Sequence, residues 1–280
     1  MNNLLNSSYD NMVFSNGDEV CTNSRGSDNY ALNSNSDSYI RNTAINTRSE
    51  VWNIRKFDRW LYSTTVLDYT RLLLCWPMIY KKKAAALQSY LPLGTITASG
   101  DYTATIAGIS GGGSTYFDTR INPSTDISDI NNFSIFISCT EGGTDGGIDF
   151  GCLTAGPSAL CAVYIQDSGN FLAAVGTATD SYTNANIRGI YCVNVRGGNI
   201  YLYKDGVESG SGGVAVVGAL PNLNADLGSV NAAGSHGSFS DKTYNHLSIY
   251  NGALTEDEVL HVSFRIEVLQ TNFLRGNAIT

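Results

Sequence analysis

Two stretches in the last third of the chain constrain its fold most tightly. Residues 199–207 read Asn-Ile-Tyr-Leu-Tyr-Lys-Asp-Gly-Val. An alternating strand runs into Asp205–Gly206, the pair that supplies the positive φ angles of a tight hairpin. Residues 244–259 read Tyr-Asn-His-Leu-Ser-Ile-Tyr-Asn-Gly-Ala-Leu-Thr-Glu-Asp-Glu-Val. That is a second alternating strand, a turn and a helix start. Thr255 and Glu258 have the spacing of a capping box: the threonine oxygen accepts from a backbone N–H three residues on, and the glutamate reaches back. Val259, Val262, Ile266, Leu269 and Phe273 then follow at helical steps, so one face of that helix should pack on a sheet or a neighbouring subunit.

The rest of the chain is punctuated like an all-β domain. Glycine is abundant (29) and proline scarce (5). Short aromatic and β-branched runs alternate with Gly/Ser/Asn/Asp clusters. Strands are expected at 102–109, 115–121, 133–139, 160–165, 171–175, 188–195, 200–203, 213–217 and 242–250. Turn signals separate them at 111–113, 142–143, 146–147, 167–170 and 197–198. This spacing predicts a two-sheet jelly roll.

The strand ending in Ile249-Tyr250-Asn251-Gly252-Ala253-Leu254 and followed by Thr255-Glu256-Asp257-Glu258-Val259 resembles the closing segment of concanavalin A-like, laminin-G-like β-sandwich domains. Tyr116-Phe117-Asp118-Thr119-Arg120-Ile121-Asn122-Pro123 resembles the same family's early strand. The likeness covers roughly Leu93 to Asn272. It implies a concanavalin A-like jelly-roll sandwich with a C-terminal helix, of the lectin/glucanase kind also found in phage fibres and other virion proteins.

The composition changes near residue 92, which predicts two regions, 1–92 and 93–280. Residues 1–47 are rich in Asn, Ser, Asp and Gly and too poor in apolar side chains to order themselves. Residues 50–92 hold all three tryptophans, Trp52, Trp60 and Trp76. Pro77 should break a helix there, and residues 81–90 are good helix formers. A polar arm followed by a small, partly helical, Trp-rich region reads either as an anchoring and oligomerisation element, with the tryptophans as interface candidates, or as a satellite packed on the sandwich.

Charge narrows the partners. The net charge is −8, and residues 91–280 hold seven basic and seventeen acidic side chains. Phosphate backbones need a positive field, so nucleic acid is not the expected ligand. The longest apolar run, Leu72 to Tyr80, is too short to span a bilayer, and the first residues lack the basic and apolar regions of a signal peptide. The six cysteines (21, 75, 139, 152, 161, 192) contain no C-x-x-C pair. They are expected as buried free thiols made in a reducing cytosol rather than as zinc ligands.

Chemical motifs are sparse. The glucanase branch of the resembled family carries paired carboxylates in an E-x-D-x-x-E run on one strand face, and no such run occurs here. Glu141, Asp145 and Asp149 come closest, separated by glycines. The same three are the candidate Ca²⁺ ligands, the alternative being a solvated acidic hairpin; no other cofactor and no catalytic residue is expected. Together these features lead to the expectation of a non-enzymatic virion protein, made in the host cytoplasm. It would be a fibre, spike or capsid decoration, a homo-oligomer attached to other virion proteins through residues 1–92 and displaying a lectin-like sandwich toward a host glycan. The alternative is a glycan-active enzyme or a cellular carbohydrate-binding adhesion module.

Overall fold

Twenty strands account for most of the computed structural model, which describes residues 69–78, 83–90, 94–142, 146–154, 159–166, 169–183, 186–210 and 212–276. They are β1 (Leu72–Pro77), β2 (Gln88–Ser89), β3 (Gly94–Thr95), β4 (Thr97–Ser99), β5 (Tyr102–Thr105), β6 (Gly108–Gly111), β7 (Tyr116–Asp118), β8 (Phe133–Glu141), β9 (Phe150–Leu153) and β10 (Leu160–Ile165). The remainder are β11 (Asn170–Val175), β12 (Ala178–Thr183), β13 (Gly189–Arg196), β14 (Asn199–Lys204), β15 (Val207–Glu208), β16 (Val214–Ala215), β17 (Asp226–Leu227), β18 (Val230–Ala232), β19 (Ser235–Gly237) and β20 (Thr243–Tyr250).

Two nine-stranded sheets and a two-stranded β2–β3 ribbon result. The first runs β15-β14-β13-β8-β20-β6-β5, with β1 also on β20 and β16 on β14. The second runs β12-β11-β10-β9-β17-β7-β4, with the β18–β19 hairpin attached to β9. The mainly β sandwich with one long helix is therefore observed as expected.

The local signals act as read. Asp205 and Gly206 have φ of 52° and 81°, the primed-turn geometry that joins β14 to β15. The long helix Glu256–Gly276 begins at a formed capping box: Thr255 N–H donates to Glu258 Oε2 at 2.7 Å and Glu258 N–H to Thr255 Oγ1 at 3.3 Å. Val259, Val262, Ile266 and Leu269 are buried. Gln270 donates to Ser138 Oγ on β8 and to Asn245 Oδ1 on β20, so the helix lies on the first sheet. The side chain of Phe273 is outside the described residues. No described helix is long and apolar enough to cross a membrane.

That cover explains β8 and β20, which are buried on both faces. Leu247 and Ile249 face the other sheet, and Tyr250 and Ser248 alternate with them beneath the helix.

Described residues on the N-terminal side of the boundary expected near residue 92 take part in the first sheet. Leu72–Pro77 pairs antiparallel with β20, Trp76 opposite Leu247. The described residues before and after 92 belong to one compact unit. Its apolar residues show no period of two because both faces are buried, and such a run does not announce itself as a strand. Trp76 is 0% exposed; its ring meets Phe117 edge-on at 5.9 Å and its Nε1 donates to Ala86 O. It is a core residue of this chain. Trp52 and Trp60 lie outside the described residues, as does the arm 1–47.

Candidate functional site

The register of the second sheet fixes which side chains share a face. Phe117, Leu227, Phe150 and Val163 stand side by side across β7, β17, β9 and β10, and all four are buried in the core. Their neighbours Asp118, Asp226, Gly151 and Ala162 are likewise paired, and by the period of two they occupy the outer face. Two carboxylates thus sit on adjacent strands directly opposite each other, a pairing that sets Cβ atoms about 4.5–5.5 Å apart.

The chain then folds back over this face. After β17, Gly228 (φ 78°) redirects it into β18. Ala233 and Gly234 turn with φ of 53° and 89°, and β19 returns with His236 opposite Asn231. His236 Nδ1 lies 2.6 Å from Asp226 Oδ2. Its ring stacks on Tyr116, centroids 3.7 Å apart and planes 7° off parallel. Ser229 Oγ donates to the same Asp226 oxygen at 2.8 Å.

Asp226 is fully covered while the His236 side chain keeps 25% of its exposure. Burial pushes the Asp226 carboxyl above its usual range, against the opposing hydrogen bonds of His236 and Ser229; Asp118 adds to the rise. Asp226 Oδ1 is buried without a hydrogen-bond partner among the described residues.

Asp118 is half-buried and well organised. It accepts from Arg120 N–H at 2.8 Å and from Asn224 Nδ2 at 3.2 Å, and Asn231 Nδ2 donates to Asn224 O. Arg120 has φ of 61°, a left-handed conformation costly for a side chain of this size, and is exposed. An imidazole fixed by a buried carboxylate, a tyrosine ring, a second carboxylate, a carboxamide and an exposed guanidinium therefore converge on one patch. These groups donate to and accept from hydroxyls, and the rings offer flat apolar faces.

None of these residues was expected as a site. Tyr116 and Asp118 lie in the early strand that carries the family resemblance, and His236 lies in a Gly/Ser loop. The expected acidic loop comes apart instead. Glu141 is exposed and accepts from Thr243 Oγ1. Asp145 is outside the described residues. Asp149 points into the interior, where Lys242, Tyr244, Ser240 and the Ile165 N–H occupy its oxygens, leaving none free for Ca²⁺. Among the described residues no group of three or more His, Cys, Asp or Glu side chains is placed to hold a metal. Cys75, Cys139, Cys152, Cys161 and Cys192 are buried free thiols.

No protein-family model matches the sequence, and no curated protein matches it. Solved structures do. Domain 4 of AbnA, a GH43 extracellular arabinanase from Geobacillus stearothermophilus, in complex with arabinotriose, matches 69% of this chain and 98% of its own at 19% identity and a TM-score of 0.48. Trypanosoma rangeli sialidase in complex with 2,3-difluorosialic acid matches 79% of this chain and 39% of its own at 13% identity, TM-score 0.55. The same sialidase with the inhibitor DANA matches 77% and 37% at 14% identity, TM-score 0.50. The chain thus spans about two fifths of the length of these sialidases.

Identities this low establish the fold: a β-sandwich shared with carbohydrate-active proteins. The expectation of a non-enzymatic chain is corrected to this extent: the fold shared with the two sialidase structures is one that occurs in enzymes. The virion setting finds no counterpart among these neighbours.

Proposed function

We propose that this chain is a glycan-active protein that takes carbohydrate on the outer face of its second sheet, over Tyr116, Asp118, Asp226 and His236. The observation that carries this reading is the stacked Tyr116–His236 pair, held in place from beneath by a buried carboxylate, one oxygen of which has no hydrogen-bond partner among the described residues. Sugars are recognised by flat apolar faces beside a few fixed donors and acceptors, and the patch supplies both. A glycan array with the full chain tests it. Binding that is lost in Tyr116→Ala and Asp118→Asn, both still folded by circular dichroism, supports the reading. Binding unchanged in both variants overturns it.

The same geometry favours a hydrolytic form of this function. His236 is a candidate proton-transfer group, its Nδ1 fixed by Asp226 as an orienting partner. Asp118, opposite Asp226 on the neighbouring strand, is the second carboxylate of the patch. Turnover of a bound oligosaccharide, lost in His236→Ala and Asp118→Asn, supports this form; slow turnover indifferent to both variants argues against it.

A further inference from the structure

Away from that face, the two sheets are tied by an unusually dry charged pair. Lys242 precedes β20 in the first sheet and Asp149 precedes β9 in the second. Both side chains are 0% exposed, and Nζ lies 3.0 Å from Oδ1 and 3.3 Å from Oδ2. Tyr244 Oη is 2.6 Å from Oδ1 and 2.7 Å from Ser240 Oγ, which itself lies 3.1 Å from Oδ1. The Ile165 N–H donates to Oδ2 at 2.6 Å. The backbone is pinned on both sides: Asp149 N–H donates to Val163 O, Gly228 N–H to Asp149 O and Ser240 N–H to Gly228 O.

We propose that Lys242 and Asp149 condense into an intramolecular amide that covalently joins the two sheets. The reaction needs no reagent beyond the pair itself. The ammonium first passes a proton to the carboxylate, giving a neutral amine and a neutral acid. The Nζ lone pair forms a bond to Cγ, and a carboxyl oxygen leaves as water with the acid proton and one further amine proton. The net change is loss of one water from the ion pair, and the amide nitrogen keeps one hydrogen.

The surroundings favour each part of this step. Two charges without water carry a large desolvation cost, and an amide of the same atoms removes both. Burial pushes the Asp149 carboxyl up despite Lys242, Tyr244 and Ile165, toward the neutral acid the step requires. Tyr244 and Ser240 stand where negative charge develops on the carboxyl oxygen, as preorganised donors do in acyl transfer. Proximity in a fixed geometry replaces a bimolecular encounter, and the dry interior opposes the reverse hydrolysis.

Intact mass spectrometry of the purified full chain, followed by proteolysis and tandem sequencing, tests this. A mass lower than the sequence mass by one water, with the peptides containing Asp149 and Lys242 recovered as one branched species, is the expected result. Lys242→Arg should restore the full mass, and Asp149→Asn should condense with loss of ammonia instead. The wild-type measurement stands even if either variant fails to fold. Full sequence mass with the two peptides separate overturns the proposal, as does a dehydrated chain whose lost water maps elsewhere.

Discussion

Asp226 Oδ2 and His236 Nδ1 are 2.6 Å apart, so a side chain with no exposure fixes the orientation of one that solvent reaches. Asp226→Asn is expected to weaken glycan binding while leaving the sandwich folded. Loss of one charge-assisted hydrogen bond is worth about 2 kcal/mol, roughly thirtyfold in Kd. Isothermal titration of both proteins with the best array ligand checks it.

The hairpin that carries His236 holds a strained residue. Ala233 sits at φ 53°, a conformation that costs a Cβ-bearing residue about 1 kcal/mol. Ala233→Gly is expected to raise the melting temperature by about 2–4 °C without changing ligand affinity. Differential scanning calorimetry reads the first and titration the second.

His246 should make the fold acid-sensitive. It is buried under the long helix, its Nδ1 lacks a hydrogen-bond partner among the described residues, and burial pushes its pKa from 6.5 down to about 3. The folded value lies below the unfolded one, so this stabilising contribution is complete above pH 6.5 and is lost as pH falls toward 3. Urea unfolding at pH 7.5 and pH 5 should show wild type losing about 2 kcal/mol relative to His246→Gln over that interval. An unchanged difference between the two proteins would refute a neutral buried imidazole.

Glu258 serves two partners, closing the capping box with Thr255 and pairing with Arg71, whose Nη1 also donates to Ala253 O. Thr255→Ala should cost about 1 kcal/mol. Glu258→Ala should cost more, since it also leaves Arg71 without its carboxylate. A double-mutant cycle on Arg71 and Glu258 should return a coupling of about 0.5 kcal/mol or more, tying the residues before β1 to the helix start.

What could be read from the sequence was local. The Asp205–Gly206 turn and the Thr255–Glu258 box each depend on residues within a few positions, and both form as read. β10 and β11 were legible because their turns flank clean apolar runs. β1 was not, since a strand buried on both faces loses its alternation. The site was hidden for a different reason. It is assembled by pairing β7 with β17, strands of two or three residues far apart in the chain, and no local pattern encodes that register. The text around Asp226 and His236 is rich in Gly, Ser, Ala and Asn, which reads as loop. The one available signal was Tyr116 and Asp118, one residue apart on either side of a core phenylalanine, and so on the same outward face.

The most direct test of the central claim is an ¹H–¹⁵N spectrum of the full chain titrated with the strongest array glycan. Saturable shifts concentrated in residues 116–120 and 224–237, absent in Tyr116→Ala, are the expected result. Shifts confined to another face, with residues 116–120 and 224–237 unmoved at saturation, would contradict it.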